Sequence, residues 1–346
     1  MQFQESLQQN NIKKEFMETS SKRPHISIII PCCNEEDAFP FLRRALTDLA
    51  AKIENEMDMS FLFVDDGSRD RTWEAILAFA NDDPRVQGIS LSRNFGHQAA
   101  LTCGYDFAQG DAVICLDADL QDPPEVILQL INKWREGNDI VYAVRESRAG
   151  ETKFKLLTAA FFYKIMHSLG AYYIKRDSGD FRLLNRKSLD ALNRLREQHR
   201  YIRGMVGWLG FKSAEVRYQR KSRVAGSTKY PFLKMLKLAI DAIVSFSFAP
   251  LRAAYLMGFG LMLVTYCYLI YTFVLLVFYG VHLIPGWTSL LLTTVAFGTA
   301  CLVSIGFLGE YVGRIYDQAK GRPLYLVKDL VAKTHSSAED ARQCDE

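Results

Sequence analysis

Two stretches of this chain contain no Asp, Glu, Lys or Arg: Ala253 to Tyr279 and Trp287 to Leu308. Each reaches the ~20 apolar residues that a helix needs to cross a hydrocarbon core. Uncharged runs of this length rarely serve a soluble core. The connection between them, Gly280 to Pro285, has no Lys or Arg. Lys229, Lys234, Lys237 and Arg252 precede the pair, and Arg314, Lys320 and Arg322 follow it. The positive-inside rule then puts both flanks, and the large N-terminal region, on the cytoplasmic side of an inner or plasma membrane. The expected layout is a flexible arm (1–24), a soluble domain (25–230), an interfacial amphipathic helix (231–250), a transmembrane hairpin (251–312) and a cytoplasmic C-terminal segment and tail (313–346). Phe232 to Phe248 is apolar except for Lys234, Lys237 and Asp241 on one face, the profile of a helix lying in the membrane interface. Gly306, Gly309 and Gly313 are expected to permit close helix packing.

The chain average hides this division. With 346 residues, 49% hydrophobic, and a formal charge of +3, the totals say little about partners. The basic residues gather near the apolar runs and no nucleic-acid motif occurs, so nucleic acid is not an expected partner. The seven cysteines form no CxxC pair and no zinc spacing, which fits reduced thiols in a cytosol-facing domain. Residues 1–24 are polar with no apolar signal core.

The N-terminal two-thirds alternates strands and helices. His25 to Pro31, Ser60 to Val64, Val86 to Leu91 and Asp111 to Leu116 are buried β-branched runs. Helical periods fall at Asp37 to Lys52, Thr72 to Phe79, Gln98 to Phe107 and Glu125 to Trp134, with Pro123 and Pro124 suited to the first turn of the last. This implies an α/β fold with a mostly parallel sheet covered on both faces. Further on, Phe154 to Leu169 is an amphipathic helix, Ser178 to Leu184 a short strand, Lys187 to Glu197 a helix, and Lys212 to Lys229 a basic segment.

Ligands of such sheets bind beyond the carboxyl ends of the strands, and acids collect there. Asp117-Ala118-Asp119 ends a strand; where the chain turns, both carboxylates can reach one hard cation, with Gln121 adding a carbonyl oxygen. Mg²⁺ and Mn²⁺ accept such oxygen ligands and bridge them to phosphates. Asp65-Asp66-Gly67-Ser68 ends another strand. It reads as a turn in which Ser68 or Asp70 caps the next helix, and as a place where Asp65 or Asp66 accepts hydrogen bonds from a base or ribose. Pro31-Cys32-Cys33-Asn34-Glu35 follows the first strand in the same way. His97, at a helix start, reads as structural or capping; His167 and His199 read as surface residues. No Walker lysine motif and no dinucleotide-type glycine loop occurs.

The ordered set Pro31-x-x-Asn34-Glu35, Val64-Asp65-Asp66-Gly67-Ser68, Ser92-Arg93-Asn94-Phe95-Gly96, Asp117-Ala118-Asp119-Leu120-Gln121-Asp122-Pro123, Gly179-Asp180-Phe181-Arg182-Leu183 and Arg223-x-x-Gly226-x-Thr228-Lys229-Tyr230 closely resembles the polyisoprenyl-phosphate glycosyltransferases. These are inverting GT-A enzymes of the dolichyl-phosphate mannosyltransferase type, and the two C-terminal runs make the chain most similar to bacterial bactoprenol glucosyltransferases. The resemblance covers about residues 24–330.

The resemblance implies a GT-A domain that binds a nucleotide-diphosphate sugar, a divalent cation (Mg²⁺ or Mn²⁺) and an undecaprenyl-phosphate acceptor. It sets Pro31, Asn34, Glu35, Asp65, Asp66, Ser68, Asp117, Arg223 and Lys229 near the nucleotide sugar, with Arg223 reaching the diphosphate from a mobile loop. Asp119 and Gln121, with Asp117, would hold the metal. Arg145 and Lys155 would meet the acceptor phosphate. Asp180 matches a carboxylate base of related enzymes and is read as base-like or as orienting acceptor phosphate and sugar, against a structural acid paired with Arg182. The expected reaction is inverting transfer of one hexose, glucose from UDP-glucose, to polyprenyl phosphate at the cytoplasmic face, by a membrane-bound homo-oligomer. Mannose, galactose and 4-amino-4-deoxyarabinose stay open as sugars. A processive polysaccharide synthase would carry a Gln-x-x-Arg-Trp motif, which is not present; a non-catalytic membrane scaffold is the other alternative.

Overall fold

The computed structural model describes residues 23–146, 178–219, 249–279 and 286–331. The arm at 1–22, the helix expected at 154–169, the interfacial helix at 232–248, and Lys155, Arg223 and Lys229 lie outside the described residues.

Alternation along the strands builds two cores, because successive side chains of a strand point to opposite faces. In β1 (His25–Cys32), Ile26, Ile28 and Ile30 face one way and Ile29 the other; in β2 (Asp58–Asp65), Phe61 and Phe63 oppose Leu62 and Val64. The first face is covered by α1 (Phe39–Ile53), α2 (Thr72–Asp82) and α4 (Val126–Arg135). The second is covered by α3 (His97–Phe107), α5 (Arg186–Arg194) and α6 (Ile202–Trp208). Phe39, Phe63 and Phe79 pack with ring centroids 5.5–6.3 Å apart between α1, β2 and α2. Every helix expected among the described residues of this domain forms. Pro123 and Pro124 sit just ahead of α4, where their carbonyls accept the Val126 and Ile127 N–H groups.

The remaining strands are β3 (Val86–Leu91), β4 (Ala112–Cys115), β5 (Ile140–Arg145), β6 (Ser178–Asn185), β7 (Ser213–Tyr218) and β8 (Val327–Val331). They form one sheet in the order β7-β5-β6-β4-β1-β2-β3-β8. The parallel reading holds for the block β4-β1-β2-β3. It is corrected at the flanks, where β6 runs antiparallel to β4 and β5, and β8 runs antiparallel to β3. The sheet is therefore mixed. The reversal has a functional consequence: the start of β6 and the ends of β5 and β7 lie at the same edge as the carboxyl ends of β1, β2 and β4.

Two long helices follow, α7 (Ala249–Tyr279) and α8 (Trp287–Ala319), and they pack side by side. At ~1.5 Å per residue each is longer than a hydrocarbon core is thick. Among the described residues, Thr293–Ala319 is long and apolar enough to cross a membrane. Leu256, Phe259, Met262, Phe278, Leu302 and Ile305 stand exposed on the pair. A Cβ at Gly306, Gly309 or Gly313 would meet nothing within 4 Å. Among the described residues, the close-packing role expected for these glycines thus finds no partner. Beyond α8 the chain rejoins the domain: β8 pairs with β3, and the Ser92 N–H donates to the Leu326 carbonyl at 2.9 Å. The C-terminal segment is in part a sheet strand.

Candidate active site

At the tips of β1 and β2, one knot of bonds joins three expected residues. Asn34 adopts φ 54°, in the left-handed region that asparagine tolerates. Its backbone N–H donates to Ser68 Oγ at 2.9 Å, and its Oδ1 accepts the Arg69 N–H at 2.8 Å. Asp65 accepts the Ser68 N–H and the Ser90 hydroxyl, each at 3.2 Å. Glu35 donates its N–H to Thr72 Oγ1 at 2.9 Å, while its carbonyl accepts from Ala38 and Phe39 ahead of α1. Asp70, not Ser68, takes the Thr72 N–H at the start of α2, at 3.1 Å. Pro31 lies inside β1 opposite Val64, short of the tip.

Asp66, the first residue past β2, bonds the loop that follows β3. Its carboxylate accepts the Phe95 N–H at 2.7 Å and the Gly96 N–H at 2.9 Å. Burial raises its pKa against the effect of those two bonds. Gly67 makes this close approach possible: at φ +64°, a Cβ there would stand 2.5 Å from the Arg93 carbonyl carbon and 2.6 Å from Asn94 N. Gly67→Ala is expected to destabilise the domain by about 1–3 kcal/mol, since backbone must move to admit the methyl. Thermal unfolding in detergent checks this; an unchanged midpoint would show that the two loops are not held together as described.

The tip of β4 carries Asp117-Ala118-Asp119, and Leu120 at φ 52° turns the chain. Asp119 Oδ1 accepts the Gln121 N–H at 3.1 Å, so the expected metal pair is already linked in a tight turn. Burial first, then the charges of Asp180, Asp122 and Asp119, push the Asp117 carboxyl up to about 6 against the opposing pull of His97. Among the described residues no three His, Cys, Asp or Glu side chains form a metal cage.

Asp180, at the start of β6, is 2% exposed and is the most heavily bonded group at this edge. Arg203, from α6, grips both oxygens, Nε to Oδ1 at 3.1 Å and Nη2 to Oδ2 at 2.8 Å. Arg182 Nη2 reaches Oδ1 at 3.1 Å and the Gly179 carbonyl at 2.8 Å. His97 Nε2 lies 3.3 Å from Asp180 Oδ2 and 3.9 Å from Asp117 Oδ1. Burial would raise the Asp180 pKa, but the charge of Arg203 and the bonds from His97 and Arg203, with Arg182, hold it well below the usual carboxylate range. His97 is lowered by burial yet ends above its ordinary value through the Asp180 bond and the charges of Asp117 and Asp180. An efficient general base has a pKa near the working pH; the arrangement around Asp180 is that of a fixed anion.

Arg145 ends β5 beside this group. Its Nε donates to the Tyr218 hydroxyl at 3.2 Å, and that hydroxyl donates to Asp122 Oδ1 at 2.5 Å. Arg145 Nη2 is 3.6 Å from Asp122 Oδ2. A Cβ on Gly179 would stand 3.0 Å from Arg145 Nη2, so glycine leaves the guanidinium its place against the start of β6.

The fold thus gathers Asp117, Asp119, Asp180 and Arg145 at one edge, with the Asn34–Ser68–Asp65 knot past the next two strands, β1 and β2. Of the structural or capping reading of His97, the capping part is corrected. Gly96 occupies the cap with φ 99°, no side chain caps α3, and the imidazole turns to the two aspartates. Its place next to Asn94-Phe95-Gly96 was the available sequence signal. Arg203 had none, since it lies on a seven-residue helix far from any motif. The pairing of Asp180 with Arg182 agrees with the sequence reading. His199 is half exposed, facing Asp317 at 3.4 Å.

The chain with this mixed α/β sheet, its acids and arginines gathered at one edge, belongs to glycosyl transferase family 2, whose model matches residues 27–192. Among its relatives are bactoprenol glucosyl transferases: that of Shigella phage SfV is 38% identical, over 88% of this chain and 98% of the phage protein. The uncharacterized glycosyltransferase YkcC of Bacillus subtilis (strain 168) is 45% identical, over 89% of this chain and 94% of its own length. Among solved structures, glucosyl-3-phosphoglycerate synthase from Mycobacterium tuberculosis, in complex with Mn²⁺, UDP-glucose and phosphoglyceric acid, aligns with a TM-score of 0.42 and 17% identity over 64% of this chain and 78% of that one.

Proposed function

We propose that the protein transfers one hexose, glucose from UDP-glucose, to a polyprenyl phosphate at the cytoplasmic face of a membrane, with inversion. The observation that carries this reading is the 38% identity to a bactoprenol glucosyl transferase across 88% of the chain, which takes in the helices α7 and α8 as well as the domain. In this reading α7 and α8 form the two-helix membrane hairpin and hold the sheet edge near the bilayer, where a lipid-borne acceptor arrives.

The reaction forms a bond between an acceptor phosphate oxygen and the anomeric carbon. The bond from that carbon to the nucleoside diphosphate breaks, and the leaving group keeps the electron pair. A phosphate monoester has a second pKa of ~6, so the attacking oxygen is already ionised and no strong base is required. This agrees with the fixed anionic state of Asp180. Asp119, Asp117 and Gln121 would hold a Mg²⁺ or Mn²⁺ ion. Asp117 fits that role because burial and three neighbouring carboxylates disfavour its charge, and a cation relieves this. Two protein carboxylates suit an ion whose other ligands are donor phosphates and water. When bound, the ion supplies charge neutralisation at the diphosphate. Asn34, Asp65 and Ser68 shape the nucleoside corner, Arg223 and Lys229 reach the diphosphate, and Arg145 and Lys155 receive the acceptor phosphate.

Purified protein in detergent, given UDP-glucose, Mg²⁺ and undecaprenyl phosphate, is expected to release UDP and form a single-sugar lipid. No UDP release, with release from another nucleotide sugar, would reassign the donor; no release with any would remove the function.

A further inference from the structure

Asp180 is surrounded by more positive charge than one carboxylate neutralises. Arg182 and Arg203 both bond it, and His97 lies against it. Arg182 is 1% exposed and committed to the Gly179 carbonyl, with its guanidinium against the Tyr142 ring. Arg203 keeps 38% of its side chain exposed. A guanidinium has five N–H donors, and the grip on Asp180 uses two of them. Arg182 Nη1 also lacks a partner but is buried, so the spare donors that solvent can reach are on Arg203. A buried carboxylate holding an arginine fork in one orientation is a way to present planar, directional donors to an oxyanion.

The chain leading to Arg203 shows which substrate side it serves. The Gln198 N–H donates to Gln318 Oε1 at 2.8 Å, Gln198 Nε2 donates to the Arg322 carbonyl at 2.5 Å, and Gln318 Nε2 donates to the Arg196 carbonyl at 3.1 Å. These bonds tie residues 196–198 to the end of α8, the helix that carries the apolar stretch. Five residues on from Gln198, Arg203 clamps Asp180. The Asn34–Ser68–Asp65 corner, past β1 and β2, is two to three strands away from β6, about 10–14 Å at the usual strand spacing. Arg145, on the neighbouring strand β5, feels the charge of Arg203.

We infer that Arg203 binds the phosphate of the acceptor, and that Asp180 serves as its anchor, not as the group that takes a proton. Arg203 touches substrate; Asp180 is a positioning residue that acts through it. The inference rests on the proposed polyprenyl-phosphate acceptor and names a residue of that site.

The test uses the full chain in detergent with Arg203→Gln and Arg203→Lys. Arg203→Gln is expected to raise the KM for undecaprenyl phosphate at least about tenfold, the loss of one charge-assisted contact, while the KM for UDP-glucose stays within about threefold. Arg203→Lys, which keeps the charge and loses the fork, should recover part of the acceptor KM. Geranyl phosphate supplies a readout without turnover. It should protect the wild-type protein against thermal unfolding where geraniol does not, and Arg203→Gln should lose that protection. A raised donor KM with an unchanged acceptor KM overturns the inference, as does geranyl phosphate protection that survives Arg203→Gln. The two claims separate cleanly. Sugar transfer with an unaltered acceptor KM removes Arg203 and leaves the function standing. Arg203-dependent geranyl phosphate binding in a protein that glycosylates no polyprenyl phosphate keeps Arg203 as a phosphate ligand and removes the function.

Discussion

Replacing Asp119 with alanine is expected to lower sugar transfer by at least about a hundredfold, the scale on which one group that stabilises developing charge matters. The reasoning starts from the turn after β4. Leu120 in the left-handed region folds the chain back, and Asp119 links to the Gln121 N–H at 3.1 Å. That places a second carboxylate beside Asp117, whose own charge is disfavoured by burial and by its acidic neighbours. The leaving diphosphate gains charge as the glycosidic bond breaks, so loss of a cation ligand acts on the step itself. Stability should change little, by about 1 kcal/mol, because the Asp119 bond to the Gln121 N–H is local. Nucleoside diphosphate release, measured beside the thermal midpoint, checks both parts. Transfer that survives in a folded Asp119→Ala protein would take the cation away from this turn.

Asp180→Asn should have the second large effect, and here stability falls together with activity. The asparagine keeps the shape and removes the charge. Arg182, 1% exposed, then has a buried guanidinium whose carboxylate partner is gone. Breaking a buried pair in this way costs about 3–5 kcal/mol, and the midpoint should drop accordingly. The pH dependence separates the anchor from a base. Asp180 is held well below the usual carboxylate range by Arg203, His97 and Arg182 in spite of its burial. A depressed folded-state pKa gives stabilisation that is complete above the unfolded value, ~3.9 for Asp, and that fades as pH falls through the folded one. The stability gap between wild type and Asp180→Asn should therefore narrow below about pH 4, and it should also shrink as pH rises past about 6, because Asp180 raises the His97 and Asp117 values that titrate there. An Asp180 carboxyl carbon resonance that titrates between about pH 6 and 7 would mean that Asp180 takes up a proton where a general base works, against the anchor assignment.

How much of this was legible beforehand depends on the range of each interaction. The β-branched runs at His25, Ser60, Val86 and Asp111 reported strands to within about two residues, because burial on both faces of a sheet demands such runs. The acids at Asp65, Asp117 and Asp119 were readable as strand-tip residues for the same reason. The strand at Ser178 was legible as an element, but its direction was not: a short apolar run pairs either way, and only its neighbours decide. That direction matters here, since an antiparallel β6 carries Asp180 to the tip of β4 instead of to the opposite edge. β8 was hidden in a charged C-terminal segment, with little apolar patterning to mark it.

His97 and Arg203 illustrate the rest. His97 sits 83 residues from Asp180 in sequence, and Arg203 sits 23. Neither spacing has a local period to betray it. Composition and motif order determined the class of chemistry, the division between soluble domain and apolar helices, and the acids at the strand ends, because these follow from burial and from contacts between near neighbours. The tertiary structure alone decided which charges share one carboxylate, and hence that Asp180 is held as an anion by a histidine and two arginines. The physical reason is that charge acts through space, and the chain carries no record of which distant groups its sheet will bring within hydrogen-bonding distance.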